Sequence, residues 1–142
     1  MNEINEMDIH EVQIGMTESS SHIITDRDVV LFSEISGDKN PVHLDDEFAA
    51  DTRFKKRIAH GLMSSSYFSA LFGMKLPGRG CVYVSQNLNF KRPVYLGDEV
   101  VATVEVVSVD VGARRIHFNT TCKVKNKTVI DGSAVIYIPP KG

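Results

Sequence analysis

The chain has 142 residues, the length of one ordinary domain with a single buried core. Its composition, 42% hydrophobic and 24% charged, is that of a soluble globular protein and excludes a disordered or membrane-embedded chain. Sixteen basic against eighteen acidic side chains leave a formal charge of −2, so no global field exists to hold nucleic acid or an anionic membrane.

The N-terminus, "MNEINEMDIHEVQIG", has neither a basic n-region nor an apolar h-region, and no later run approaches the ~20 apolar residues of a membrane span. A cytoplasmic location is the expectation. "SSSHIIT" reads as a short strand, and "TDRDVVLFSEISG" as a helix with Thr25 at its N-cap, Asp28 in capping-box position and Gly37 closing it. Asp45 to Ala50 suit one further helical turn. "GLMSSSYFSALFGM", from Gly61, is apolar or small all round and uncharged, which predicts a helix surrounded by protein.

The second half alternates with period two over four segments. Val82, Val84, Leu88 and Phe90 share one face, as do Val100, Ala102, Val104 and Val106. Ile116, Phe118, Thr120, Cys122 and Val124 form the inward set of the next segment, followed by Ile130, Ala134, Ile136 and Ile138. Turn signals at "RPVYLGDE", "VDVGAR" and "KNK" join these strands as sequential neighbours in an antiparallel meander. The expected architecture is α+β, one antiparallel sheet covering one helix within a single domain. Cys81 and Cys122 read as reduced core thiols. "CVYVSQNLNF" has few charges and no proline and would be a sticky edge unless a second copy covered it, so a homodimer is expected.

The chemistry concentrates in "SGDKNPVHLDDEFA", residues 36–49. Pro41 fixes its own φ and biases Asn40 toward extended geometry, stiffening the link between Asp38 and His43. A carboxylate and an imidazole held near each other can grip one water and move its proton. Composition alone favours a structural turn, because Asp, Asn and Pro serve turns for local reasons. Three features weigh the other way. Gly61 in "IAHGLM" opens the buried helix where free N–H groups can receive an oxyanion. Ser64, Ser65, Ser66 and Ser69 put hydroxyls on an apolar helix, although each is expected to bond back to the preceding turn. Lys91 and Arg92 either flank an anionic ligand or are solvated strand-end charges.

The run from Phe32 to His43, "IAHG" at 58–61 and "LPGRGCVYVSQNLNFKRPVYLGDEV" at 76–100 together resemble the (R)-specific enoyl-CoA hydratases of the MaoC-like dehydratase family. The resemblance spans about residues 12–138 of the expected 1–142 domain. It implies the hot-dog fold, a curved antiparallel β-sheet wrapped around one long central helix, usually as a homodimer. It also implies reversible hydration of a trans-2-enoyl thioester to the (R)-3-hydroxyacyl thioester. On this resemblance Asp38 and His43 are catalytic, Gly61 is the oxyanion donor, Ser69 supports the site and Asn40 orders the loop. No metal or redox cofactor is implied, and coenzyme A enters only as the substrate's carrier.

Other readings of the same residues are a 3-hydroxyacyl-[acyl-carrier-protein] dehydratase, a hot-dog thioesterase and a non-catalytic acyl-thioester-binding module. A metal site of Asp38, His43 and His60 lacks a recognised ligand spacing. His10, His22 and His117 read as surface or strand residues.

Overall fold

The structure, a computed structural model, describes residues 3–141. The ends of the expected domain, residues 1, 2 and 142, lie outside them. A 3-10 turn at Ile9–Glu11 leads into β1 (Thr17–Ile23) and α1 (Asp26–Ser36). Two short helices follow, α2 (Pro41–Leu44) and α3 (Asp46–Ala50), then α4 (Gly61–Ser65) and α5 (Tyr67–Met74). The strands β2 (Val82–Phe90), β3 (Glu99–Asp110), β4 (Arg115–Val124) and β5 (Lys127–Tyr137) complete the chain.

Local chemistry sets the boundaries of α1. Thr25 accepts the Asp28 N–H while the Asp28 carboxylate accepts the Thr25 N–H, the reciprocal capping box read from sequence. Gly37 ends the helix at φ 80°, donating its N–H to the Ser33 carbonyl. The uncharged segment from Gly61 is one helical run with a local break. Ser66 keeps right-handed angles (φ −63°, ψ −21°), but its N–H is shared between the Leu62 and Met63 carbonyls, 3.1 Å from each. The Ser65 and Ser66 hydroxyls bond to those same two carbonyls, so side chains compete with the backbone ladder where α4 passes into α5.

The five strands form one antiparallel sheet in the order β1-β3-β4-β5-β2. Its inner face carries the expected residues: Val100, Ala102, Val104 and Val106, then Ile116, Phe118, Thr120 and Cys122, then Ile130, Ala134 and Ile136, all buried. Phe68, Leu71 and Phe72 of α5 fill the concave side. Phe72 meets the Phe118 ring edge-on at 4.7 Å, and Cys122 Sγ donates to the Ser64 carbonyl at 3.7 Å. Cys81 and Cys122 are free thiols. The buried hydroxyl of Thr120, the polar member of the inner face, accepts the Gln86 side-chain amide at 2.9 Å. One sheet around one helical run is the hot-dog arrangement that the resemblance implies.

Two expectations are corrected. β2 does not neighbour β3: it pairs with β5 at the far edge, and β1 takes the place beside β3. The stretch between β2 and β3 is a crossover rather than a hairpin turn. Its Lys91 N–H bonds to the Val129 carbonyl, Val94 is buried, and its Gly97 N–H bonds to the Ile24 carbonyl. Val82 and Val84 do not share a face with Leu88 and Phe90. A bulge between Tyr83 and Ser85 leaves Val84 outside the ladder and turns Tyr83 inward, edge-on to Phe72 at 5.2 Å. Val82 and Val84 are exposed on this edge strand, and Tyr83 and Phe90 also stay partly open to solvent. The β4–β5 hairpin closes as read, through Lys125 and Asn126 at φ 50° and 65°, the left-handed pair of a two-residue turn.

Gly132 on β5 lies opposite Leu88, and a Cβ there would sit 2.0 Å from the Asn87 carbonyl oxygen. We expect Gly132→Ala to force β2 away from β5 and to cost about 1–3 kcal/mol, read as a lowered urea midpoint at unchanged m-value.

Candidate active site

The short helix α2 carries the buried His43. Asn40 caps it by accepting the Val42 N–H at 3.2 Å, Pro41 supplies its first helical φ, and His43 falls on its single turn. Two neighbouring residues clamp this turn from outside. Arg57 donates from Nε to the His43 carbonyl and from its terminal nitrogen to Asp26 Oδ1 at the start of α1, each at 2.7 Å. The Ile58 N–H bonds to the Val42 carbonyl at 3.2 Å. Ile58 also bridges to Tyr95, and the Ala59 N–H bonds to the Val94 carbonyl at 2.7 Å, which ties the clamp to the crossover that enters β3.

His43 Nδ1 lies 2.7 Å from the Ile58 carbonyl oxygen. A carbonyl only accepts, so Nδ1 carries the proton and Nε2 is left with a bare lone pair. That lone pair faces Asp38 Oδ2 at 4.0 Å. The other carboxylate oxygen is spent on local structure: Oδ1 accepts the Asn40 N–H at 3.1 Å, while Ser36 Oγ accepts the Asp38 N–H at 3.1 Å. Two acceptors 4.0 Å apart cannot bond each other directly. A water about 2.8 Å from both would see them at an angle of about 90°, close to its own H–O–H angle, and could donate one proton to each. Burial lowers the proton affinity of the His43 ring; the Ile58 hydrogen bond opposes this, the neighbouring His60 adds to it, and Asp38 opposes it weakly.

The pair opens onto a cavity of about 590 Å³, within the size range of small-molecule sites. Gly61 lines it beside Asp38 and His43, as do the apolar Ala59, Val94 and Ile130. A Cβ on Gly61 would lie 2.5 Å from the Phe90 ring, so only glycine lets that ring close over the start of α4. Arg53, Lys91 and Arg92 add positive charge to the lining. Lys91 lies 3.9 Å from Asp131, an exposed and weak pairing.

The sequence profile of the MaoC like domain matches residues 10–128. The chain belongs to the MaoC-like family. It is 44% identical over 139 residues to a 3-hydroxybutyryl-CoA dehydratase of Methylorubrum extorquens, covering 98% of this chain and 88% of that one. It is 42% identical over 132 residues to an (R)-specific enoyl-CoA hydratase of Rhodospirillum rubrum, covering 93% and 92%. Its fold is similar to that of an unliganded R-hydratase from Pseudomonas aeruginosa, with a TM-score of 0.91 and 39% identity over 97% of this chain and 89% of the other.

In this MaoC-like chain, three of the five residues singled out from sequence converge on the cavity: Asp38, His43 and Gly61. Asn40 faces the backbone of α2 as a cap and does not line it. Ser69 is exposed on α5, about two turns beyond Gly61, and the structure does not bring it to the pair. The sequence alone assigns no role to Arg57, the Ile58 carbonyl or Ser33, although Ser33 and Ile58 lie within the stretches that carry the family resemblance. His60 was considered only as a metal ligand. Asp38, His43 and His60 do each offer a ligand atom within 4.8 Å of the others, but His60 Nε2 is already bonded to the Asp38 carbonyl and to Ser33 Oγ. Of the remaining histidines, His10 and His117 are exposed, and His22 stacks on Tyr67 at 3.7 Å from β1.

The lowered proton affinity of His43 has a sign in stability. Its folded value lies below the ordinary 6.5, so between the two the unfolded chain binds a proton that the folded chain refuses. The contribution of the neutral ring is complete above pH 6.5 and is lost as pH falls through that window. We expect the His43 ring resonances to titrate with a midpoint below 6.5 in NMR spectra of the folded protein, and His43→Gln to flatten this part of the stability profile.

Proposed function

We propose that the chain is a hydro-lyase, an (R)-specific enoyl-CoA hydratase that interconverts trans-2-enoyl-CoA and (R)-3-hydroxyacyl-CoA. The observation that carries this reading is the bare Nε2 of His43 facing Asp38 Oδ2 across 4.0 Å, at the wall of a cavity that also holds Gly61. In the hydration direction a water gripped by the two acceptors adds its oxygen to C3 as the C2–C3 π bond breaks. One water proton passes to the Asp38/His43 pair, and a proton returns from the pair to C2 on the same side. Negative charge that gathers on the thioester oxygen is met by the Gly61 N–H, which the first turn of a helix leaves without an intrahelical acceptor. The pair ends as it began. No net proton, electron or metal is required, so the reading includes no cofactor.

Three cations in the lining, Arg53, Lys91 and Arg92, suit a phosphate-bearing carrier such as coenzyme A. The decisive assay follows loss of the conjugated absorbance of crotonyl-CoA, with chiral analysis of the product. We expect the (R)-alcohol, with Asp38→Asn and His43→Ala each lowering kcat by about 10² to 10⁴. Unchanged turnover in either variant would sink the catalytic account. Higher kcat/KM on the acyl-carrier-protein thioester would reassign the carrier, and thiol release with the conjugation intact would indicate a thioesterase.

The reading includes a homodimer formed through β2. That strand lies at the sheet's edge with Val82 and Val84 exposed, and a like strand across a two-fold axis would cover it. Light scattering on the eluted protein is expected to give about twice the chain mass of 15.8 kDa, and a monomer at micromolar concentration would remove this part of the proposal.

A further inference from the structure

His60, only 4% exposed, occupies the N-cap of α4 but makes no capping bond with its side chain. Its Nε2 lies 3.1 Å from the Asp38 carbonyl and 3.2 Å from Ser33 Oγ. Since the carbonyl only accepts, Nε2 carries the proton and shares it between the two. The ring stacks on His43 with centroids 3.8 Å apart and planes 26° from parallel, and Phe32 meets it at 4.9 Å. Its second nitrogen, Nδ1, is buried without a hydrogen-bond partner among the described residues. Leaving a polar atom in that state is unfavourable, and a phenylalanine could stack in the same space without it. A histidine here therefore needs a reason, and the bond from Nε2 to the backbone of Asp38 supplies one.

We propose that His60 is a positioning residue for the hydration reaction, an inference that rests on the hydratase reading. Its N–H fixes the main chain at Asp38, and its ring is the platform on which His43 turns Nε2 toward Asp38 Oδ2. Both partners of the water-gripping pair are thus set by one side chain, which lines the same cavity but whose Nε2–H is spent on the Asp38 carbonyl and Ser33 Oγ. The bond and the stack act on different residues, so they separate by substitution. His60→Phe keeps a ring beneath His43 and removes the N–H. His60→Gln restores an N–H donor near the place of Nε2.

The test compares wild type, Asp38→Asn, His60→Ala, His60→Phe and His60→Gln on crotonyl-CoA, with kcat and KM resolved and the thermal midpoint of each recorded. We expect His60→Ala and His60→Phe to lose about 10- to 100-fold in kcat, the scale of a small misplacement of catalytic groups. KM should stay within about threefold, and His60→Gln should recover most of the lost kcat. A His60→Phe enzyme with wild-type kcat overturns the proposal. So does a loss that appears in KM instead, or a His60→Gln enzyme no better than His60→Phe at equal thermal midpoint. If His60→Ala does not fold, the Phe and Gln variants still decide. An inactive wild type sinks the hydratase reading and this inference with it; an active wild type, an inactive Asp38→Asn and a normal His60→Phe sink this inference alone.

Discussion

The hydrogen bond from His43 Nδ1 to the Ile58 carbonyl is the interaction on which the site depends. It selects the tautomer, and the tautomer decides whether the nitrogen facing Asp38 can accept a proton. The acceptor is main chain, so its position is set by whatever holds the backbone at residues 57–59. That backbone is held by α2 on one side and by the crossover on the other, through the Ile58–Val42, Ala59–Val94 and Arg57–His43 contacts. Main-chain contacts drawn from several elements orient the imidazole, and the His60 ring stacks against it.

This links the topology of the sheet to its chemistry. Had β2 and β3 formed a hairpin, the segment after Phe90 would have turned back at once, leaving residues 57–59 braced by α2 alone. Because β2 sits on the far edge beside β5, the chain must cross before β3, and Val94 and Tyr95 meet Ala59 and Ile58 on the way. The crossover also brings Lys91 and Arg92 to the same cavity. Its low-polarity walls, Ala59, Val94 and Ile130, serve the core and the site together, and burial keeps the His43 ring in its neutral form.

Much of this was legible in the sequence where local rules govern. The capping box at Thr25 and Asp28, the left-handed Gly37 and the inward residues of β3, β4 and β5 depend on short-range periodicity and turn chemistry, and all stand as read. The stiffness that Pro41 gives to the loop was also visible, though not that residues 41–44 would close into a helical turn. What sequence spacing misplaced depends on long-range pairing. The bulge at Val84 inverts the faces of β2, and a partner strand, not a propensity, decides where a bulge falls. Ser69, placed by its position in "SSSYFSALFG", lies on the exposed side of α5, a placement that no local rule in the sequence gives. The Ile58 carbonyl could not have been found at all, because a backbone acceptor leaves no mark on residue identity.

The contact between Gly61 and Phe90 has an evolutionary consequence. With the ring's Cδ1 and Cε1 only 2.5 Å from where a Cβ would stand, neither position can be enlarged unless the other gives way. The two residues lie 29 positions apart, on α4 and at the end of the edge strand, and would drift as one unit. Coupling of this kind would join an exposed strand end to the helix start that lines the cavity, so a change of size at the sheet's edge would be felt inside the pocket.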